Sequence, residues 1–450
     1  MSDAWRRPVS RRQLLAGAAS VGLGAAAAAA CDWGGAPASG SIGGRKSLRI
    51  LQRTHFVPSY DAWIDGFVKD FGRKNGVQTT IDHIPIEDLP ARMAAEIAAR
   101  DGHDLIEMCD QILTDLYETQ LVDMGDVVDY AQKKYGPVEP VGKQLAYVNG
   151  RWIGLPSYYT AIQPQIRADL FQKYGFDPAQ VKTWQDYLQV GTAAKSDGHA
   201  AGLAISHCND ANHNWRAIMW AFGASEVKAD GHTINVDTPE MRDFLNFAQT
   251  FYTKANTPDV FAWDNASDNR WLASGTGAYI HDAISSMRSV QSADASLYAK
   301  LSLRPPVAGP AAPKGVSGPD SNVYVLWNFS KNQDTAKQFL KHYIDNWMAG
   351  FQASQVYNQP FYANLYDKPI FSDKTLGGPL AEQQFSVLQS YRGDQIHLFG
   401  YPGPPTYAAT QTLANFVIPD MVAAAVKTPG PDGIKAALDF AKSKLKLYYV

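Results

Sequence analysis

Short apolar runs and longer amphipathic stretches follow one another through the first quarter of the chain. The runs at 47–51, 77–84 and 104–108 have the length and the residue types of strands. Between them, apolar side chains recur every four positions on two helical faces: Trp63, Phe67 and Phe71 on the first, and Leu89, Met93 and Ile97 on the second. This order of strand and helix predicts a parallel sheet flanked by helices, and hence an α/β fold.

The rest of the chain continues this alternation. Asn149-Gly150 separates two short apolar runs and predicts a β-hairpin. Thr183 and Thr238 precede amphipathic stretches and predict helix N-termini. Further elements are expected as strands at 203–206, 278–280 and 323–329, as helices after 332 and near 411–426 and 432–447, and as an irregular proline- and glycine-rich segment at 304–320.

Composition narrows the class of protein. The 450 residues are 45% apolar and 19% charged, which is enough for large cores and excludes a disordered or fibrous chain. A chain of this length divides into roughly two or three domains. The formal net charge of −3 indicates no basic surface, so no nucleic-acid partner is expected. Three cysteines are too few for a disulfide scaffold, and Cys109 and Cys208 are expected to be free buried thiols.

Residues 1–30 are predicted to be an export signal and not part of the fold. A basic start precedes an apolar run from Leu14 to Ala30, and no later stretch reaches 18 uninterrupted apolar residues. The segment around Arg11-Arg12 resembles the twin-arginine signal, which exports folded proteins across the bacterial membrane. The protein is therefore expected to work outside the cytoplasm, in the periplasm or at the cell surface.

Two processing sites follow this signal. The small residues 28–30 before Cys31 resemble a lipobox, although the first of them is alanine where leucine is usual. Cys31 would then carry a diacylglycerol, and Asp32 resembles the signal that keeps such lipoproteins on the inner membrane. Cleavage at 36–38 is the alternative and would leave a soluble protein. We expect a lipid anchor at Cys31, followed by a flexible tether over 31–44.

Five stretches of the body stand in a characteristic order. They are FVKDFGRKNGVQTTIDHI from Phe67, MAAEIAARDGHDLIEM from Met93, the block from Tyr147 to Asp169, NRWLASGTGAYI from Asn269, and the block 324–344. Together they resemble the family 1 extracellular solute-binding proteins, which are the maltose-binding-like receptors of ABC importers. The resemblance extends over most of 48–447.

This resemblance implies a two-lobe periplasmic-binding-protein type 2 fold, with a helix-flanked sheet in each lobe and a ligand cleft between the lobes. On the family pattern, the N-terminal lobe takes 45–158 and about 300–355. The C-terminal lobe takes 159–299 and about 356–450. The lobes would close by a hinge motion around a carbohydrate or related polyol, and the loaded form would dock on the membrane permease. A monomer without a cofactor is expected.

The candidate ligand contacts are side chains in loops after predicted strands, because ligands of such sheets bind beyond the strand ends. A sugar needs flat aromatic surfaces and polar groups that bond neighbouring hydroxyls. Asp110 fits a helix N-cap equally well, and one of two successive tyrosines should face the cleft, because side chains alternate along a strand. The candidates are Arg53, His55, Asp110, Tyr158, Tyr159, Asn209, Asp210, Asn212, Trp215, His281, Asp282 and Tyr401.

Three other functions stay open from the sequence. A cationic or zwitterionic solute such as a polyamine is one, but the candidates include Arg53 as well as Asp110 and Asp282, which favours a neutral polyhydroxy ligand or a modified sugar. An exported carbohydrate-active enzyme is not expected, because the chain has no G-x-S-x-G elbow, no H-E-x-x-H helix and no P-loop. The last is a metal site on four neighbouring side chains whose spacing fits no established zinc pattern: His207, Cys208, Asp210 and His213.

Overall fold

The computed structural model describes residues 46–109, 117–390 and 395–449. The signal, the tether, Cys31 and Asp110 lie outside these ranges. The strands are β1 (Ser47–Arg53), β2 (Gln78–Ile84), β3 (Leu105–Cys109), β4 (Tyr147–Val148), β5 (Arg151–Trp152), β6 (Leu155–Thr160), β7 (Gln163–Arg167), β8 (Tyr279–Asp282), β9 (Leu301–Leu303), β10 (Asp320–Leu326) and β11 (Gln359–Pro360).

The α-helices separate these strands. They are α1 (Pro58–Asn75), α2 (Leu89–Ala99), α3 (Gly125–Tyr135), α4 (Pro140–Ala146), α5 (Ala168–Lys173), α6 (Trp184–Ser196), α7 (Asn209–Ala221), α8 (Pro239–Lys254), α9 (Ser267–Ala273), α10 (Ser285–Ala293), α11 (Ala295–Tyr298), α12 (Gln333–Asp345), α13 (Trp347–Ala353), α14 (Lys374–Gly377), α15 (Ala381–Ser390), α16 (Tyr407–Ala414), α17 (Val417–Lys427) and α18 (Pro431–Leu445).

The larger sheet has six strands in the order β11-β6-β10-β3-β1-β2. β1 pairs with β2 and β3 in parallel, as the sequence predicts. β10 runs antiparallel to both β3 and β6, so the sheet is mixed and not purely parallel. This reversal places the first residue of β10 at the same edge as the last residue of β3, because Asn322 pairs with Cys109.

The smaller sheet has three strands in the order β8-β7-β9. The chain leaves the larger sheet after β6, enters the smaller sheet at β7, and returns to the larger sheet at β10. Two strands pair across the lobe boundaries that the sequence predicts. β9, in the predicted N-terminal lobe, pairs with β7 of the other lobe, and β11, in the predicted C-terminal lobe, pairs with β6. The lobe boundaries themselves stay a prediction.

The buried apolar side chains form two hydrophobic cores, and the smaller sheet borders both, because Ile280 and Leu303 belong to the core of the larger sheet. The core of the larger sheet includes Leu48, Ile106, Val325 and Phe339, all at most 1% exposed. The core of the smaller sheet is built mainly by helices, with Trp215, Phe244 and Met421 completely buried. The chain crosses between the two sheets at the links between β6 and β7 and between β9 and β10, and a hinge motion would bend the chain at these links.

Local signals in the sequence predicted most element boundaries. Thr183 caps α6. Its hydroxyl accepts a hydrogen bond from the Asp186 N–H, and the Asp186 carboxylate accepts one from the Thr183 N–H, so the two residues form a capping box. Thr238 caps α8 in the same position before Pro239. The Asn149-Gly150 hairpin is confirmed, with φ values of 50° and 82°.

The expected strand at 203–206 is not formed. Ala201 and Gly202 make only isolated bridges, to Asn256 and Ile280, and the segment continues without a ladder into α7. Cys109 and Cys208 are buried and free, as expected. Among residues 46–109, 117–390 and 395–449, none of the helices combines the length and hydropathy needed to cross a bilayer.

Candidate ligand-binding site

A cavity lies between the two sheets, with a volume of about 20 Å³. Asp320 at the start of β10 lines it from the larger sheet, and Asp282 at the end of β8 lines it from the smaller sheet. Ligand pockets have volumes of about 300–1,000 Å³, so the two sheets must move apart before a sugar-sized solute can enter. The lining residues are Phe56, Ile86, Ile162, Asn209, Asp210, His213, Asn265, Asp282, Ala283, Ser285, Asp320 and Tyr357.

Arg53 lies behind the large-sheet wall of this cavity. Its guanidinium is fully buried, and Nη2 lies 3.1 Å from Oδ2 of Asp320. The same group lies 5.5 Å from the ring centre of Phe56 and 5.9 Å from that of Tyr357, and both rings line the cavity. Arg53 therefore holds Asp320 and the two rings in place while its own charge is neutralised from within the protein.

Glu107 is a second buried charge near Arg53. It lies on β3 opposite Tyr324 of β10, is completely buried, and has Tyr158 as its side-chain hydrogen-bond partner. Burial raises the pKa of Glu107 from the ordinary 4.5 to about 7, although the nearby Arg53 charge acts in the opposite direction. The folded protein therefore favours the protonated side chain.

Replacement of Glu107 with glutamine is expected to change how stability depends on pH. The folded state keeps a proton that the unfolded state releases above pH 4.5, so the Glu107 contribution to the free energy of unfolding falls between pH 4.5 and about 7. The full effect is about 3 kcal/mol. Glu107→Gln should match the unsubstituted protein at pH 4.5 and exceed its stability at pH 8, as measured by denaturant unfolding.

The control is Glu382→Gln, which changes a carboxylate that is 84% exposed. It should leave the difference between the two pH values unchanged. If Glu107→Gln changed the free energy of unfolding by the same amount at both pH values, that result would contradict the assignment of a protonated Glu107.

The small-sheet wall of the cavity carries three aspartates. Asp210 lies in the first turn of α7, Asp268 lies on α9 and Asp282 ends β8, and each offers a carboxylate oxygen within 4.8 Å of the others. Burial raises the pKa of Asp210 and of Asp282, and the neighbouring Asp268 raises both further. Burial likewise raises the pKa of Asp268 to about 7. We call these residues the aspartate cluster.

Three of the predicted contacts line the cavity: Asn209, Asp210 and Asp282. Arg53 and His55 lie behind the wall. The Nε2 atom of His55 lies 2.9 Å from Oδ1 of Asn358, its Nδ1 accepts the Val57 N–H, and burial lowers its pKa to about 3. His55 is thus a neutral side chain that fixes the loop after β1.

The two tyrosines of β6 point to opposite faces of the sheet, and neither belongs to the cavity lining. Tyr158 is completely buried, 6.2 Å from the ring of Tyr60. Tyr159 is 2% exposed, and its hydroxyl lies 2.7 Å from that of Tyr366. The alternation was correctly predicted, but both faces of the sheet are covered at this point, so both rings pack inside the larger half.

Asn212 and Trp215 lie on the buried face of α7. The Asn212 amide donates to the Leu413 carbonyl, and its oxygen accepts from Arg216. Trp215 is completely buried, and its indole N–H donates to the Ala204 carbonyl at 2.8 Å. The sequence placed both at the ligand because they follow a polar loop, but α7 begins at Asn209 and turns them into the core.

His281 and Tyr401 also lie away from the cavity lining. His281 is 1% exposed and points at Asn214, with 2.7 Å between Nδ1 and Oδ1. Burial lowers its pKa to about 3. Tyr401 is 38% exposed and stacks on His397, with 3.6 Å between ring centres.

The four side chains of the possible metal site do not converge. His207 is exposed and lies against Asp420, with 2.8 Å between Nε2 and Oδ1. The Nδ1 atom of His213 lies 2.7 Å from the Gly318 carbonyl oxygen. Asp210 belongs to the aspartate cluster, so the structure does not support the hypothesis that these four side chains bind one metal ion.

Sequence reasoning missed Phe56, Asp268, Asp320 and Tyr357. Asp268 directly precedes a stretch that carries the family resemblance, but nothing in its spacing shows that α9 brings it close to Asp282 at the end of β8. Asp320 lies three residues before the predicted strand 323–329, and in a purely parallel sheet the start of a strand lies away from the edge where ligands bind. The antiparallel direction of β10 is what brings this carboxylate to the cavity.

The sequence profile of bacterial extracellular solute-binding proteins matches residues 66–349, which is more than half of the chain. The chain belongs to this family. The protein is therefore an exported solute-binding protein. None of the curated proteins matches the chain.

Solved structures with the same fold belong to sugar- and polyol-binding proteins of low identity. The maltose-bound MalE3 protein of T. maritima has a TM-score of 0.74 and 17% identity, covering 89% of this solute-binding protein and 99% of that chain. A sugar transporter of Arthrobacter chlorophenolicus A6 with laminaribiose has a TM-score of 0.73 and 16% identity, covering 89% and 99%. The ABC transporter solute-binding protein of Agrobacterium radiobacter K84 with ribitol has a TM-score of 0.72 and 14% identity, covering 90% and 99%. These similarities confirm the two-lobe α/β fold.

Proposed function

We propose that the protein captures a carbohydrate or a related polyol between its two sheets and delivers it to the permease without changing it covalently. The observation that carries this proposal is the cavity whose polar groups come from both halves, beside the rings of Phe56 and Tyr357. Proteins of the same fold have been solved with maltose, laminaribiose and ribitol.

The chemistry of the lining suits hydroxyl groups. Carboxylates accept hydrogen bonds from sugar hydroxyls, and aromatic rings pack on the C–H faces of a sugar. A single satisfied hydrogen bond contributes about 1 kcal/mol, so several contacts from both halves are needed for useful affinity. The proposed contacts are Phe56, Asn209, Asp210, Asp282, Asp320 and Tyr357, with Arg53 as the residue that positions Asp320.

Contacts from both halves also explain how binding would be signalled. A ligand that bridges Asp282 and Asp320 favours the closed arrangement of the two sheets over the open one. The permease would then recognise the closed form. The lobes of the sequence analysis, with boundaries near 158, 300 and 356, are proposed as the moving units.

We propose the export route and the membrane anchor of the protein from its N-terminal sequence. Twin-arginine export, a lipid anchor on Cys31 and a monomeric state are consistent with an exported solute-binding protein. Mass spectrometry of the N-terminal peptide from membrane fractions should find diacylglycerol on Cys31. An unmodified N-terminus near residue 39 would contradict the anchor.

Thermal unfolding with a panel of neutral sugars and polyols tests the proposed function. A true ligand at about 100 times its Kd should raise the free energy of unfolding by about 2.7 kcal/mol. The variant Phe56→Leu removes one ring of the wall and should weaken binding of that ligand about fivefold. Phe67→Leu is the matched control, because Phe67 is also partly buried but packs on α1 against Trp63 and Phe339.

Two results would contradict the proposal. One is a panel in which no sugar, polyol or amino derivative of either raises the melting temperature. The other is a panel ligand that is recovered from the protein cleaved or rearranged, since the proposed function contains no covalent step.

A further inference from the structure

The aspartate cluster places three carboxyl groups on one wall of the cavity, and in their ionised form these groups repel one another. Asp210 and Asp282 line the cavity, and Asp268 is 2% exposed directly behind them. Asp210 is 9% exposed, and its Oδ2 atom has no hydrogen-bond partner among the described residues. A side chain that is nine-tenths buried, faces the ligand cavity and leaves one oxygen unsatisfied needs a donor from the ligand.

The cations nearest to this wall are engaged elsewhere. Arg53 lies on the large-sheet side and is paired with Asp320 at 3.1 Å. The charge of Arg270 lowers the pKa of Asp268, but this arginine is 62% exposed, and its Nη2 lies 2.7 Å from Oδ1 of Asp264. Among its charged neighbours, Asp268 raises the pKa of Asp210 the most, and Asp282 comes next. Within the described part of the chain, the ionised cluster therefore lacks a balancing cation, and its carboxyl groups keep protons unless a ligand supplies one.

A neutral ligand does not resolve this imbalance. A hydroxyl that donates to one carboxylate leaves the repulsion between the remaining ones in place. A primary ammonium carries one positive charge and three N–H donors, so it can bond several carboxylates at once. Hydrogen bonds between charged partners are also roughly twice as strong as those between neutral ones.

We propose that the natural solute carries a primary ammonium group, bound against Asp210 and Asp282 with Asp268 behind them, on a polyhydroxylated body. The body would lie against Phe56, Tyr357, Asn209 and Ser285, whose rings and polar groups suit C–H faces and hydroxyls. This inference rests on the proposed function, because it names the class of solute that the same cavity takes: an amino sugar or an amino polyol.

The test compares probes that differ by one group. The full chain is titrated with D-glucosamine and D-glucose, and with 1-amino-1-deoxy-D-glucitol and D-glucitol, and binding is followed by thermal unfolding and calorimetry. The amine of at least one pair should bind about tenfold more tightly than its neutral partner, or more. Spermidine and CaCl₂ complete the set, as a cation without hydroxyls and as a bare metal ion.

Asp282→Asn keeps the shape of the side chain and removes its charge. It should weaken binding of the amine about tenfold or more, and by a larger factor than it weakens binding of the neutral partner. Asp70→Asn is the matched control, because this aspartate is 57% exposed on the surface of α1, and it should leave both affinities unchanged.

The outcomes separate the inference from the proposed function. If neutral sugars or polyols bind as tightly as their amines, the inference is wrong and the proposed function stands. If CaCl₂ or spermidine stabilises the protein more than every amino sugar and amino polyol does, and Asp282→Asn abolishes that effect, the cluster binds a metal ion or a polyamine and the inference is wrong. If no probe or panel sugar binds, the proposed function fails as well.

Discussion

Trp215→Ala is expected to lower the free energy of unfolding by about 3–5 kcal/mol in the absence of any ligand. The indole is completely buried in the core of the smaller half, with ring centres 6.3 Å from Phe244 and 6.4 Å from Phe251. Its removal leaves a cavity in a closely packed region and takes the donor away from the Ala204 carbonyl. Denaturant unfolding of the unliganded protein measures the loss.

Trp152→Ala provides the comparison for this result. Trp152 lies on the β4–β5 hairpin and is only partly buried, so the same change should cost markedly less. If Trp215→Ala instead kept the unliganded stability and abolished stabilisation by the ligand, Trp215 would be a ligand contact, as the sequence predicts and contrary to its position in the core.

Arg216→Met is expected to cost a similar amount, about 3–5 kcal/mol. Arg216 is completely buried and forms two bonds with Glu226, from Nε at 3.1 Å and from Nη2 at 3.0 Å. It also donates to Asn212 and lies 5.3 Å from the ring centre of Phe399. Removing the cation leaves the Glu226 carboxylate, which is 2% exposed, without its counter-charge.

A second variant shows whether the loss comes from this unpaired charge. In Arg216→Met/Glu226→Leu both charges are replaced by apolar groups, so the double variant should be more stable than Arg216→Met alone. A double variant whose loss equals the sum of two large single losses would mean that the two side chains act independently, which their geometry does not allow.

The local elements of the fold were predictable because their signals lie within a few residues. The capping box of Thr183 with Asp186 fixes the start of α6 through contacts three residues apart. The hairpin turn depends only on Asn149-Gly150 and their positive φ values. Such patterns require no knowledge of distant parts of the chain.

Strand direction and sheet membership depend on distant partners and were predicted less well. β10 lies beside β3 although more than 200 residues separate them, and no local pattern says that the pair is antiparallel. The segment 203–206 has strand-like residues, yet only its neighbours Ala201 and Gly202 form bridges. A run of suitable residues becomes a strand only where a partner edge is available.

The candidate site shows the same division. Asn209, Asp210 and Asp282 were found because they follow an extended segment or end a strand on the small-sheet side of the cavity. Trp215 was misplaced because helix α7 begins at Asn209, so its later residues turn into the core. Asp320 was missed because its position depends on the reversed direction of β10.

A crystal structure with the solute that most stabilises the protein tests the central claim most directly. We predict that the intact solute lies between the two sheets, within hydrogen-bond distance of both the Asp282 and the Asp320 carboxylates. A solute bound on the outer surface of one half, or one found covalently cleaved, would contradict capture between two closing lobes.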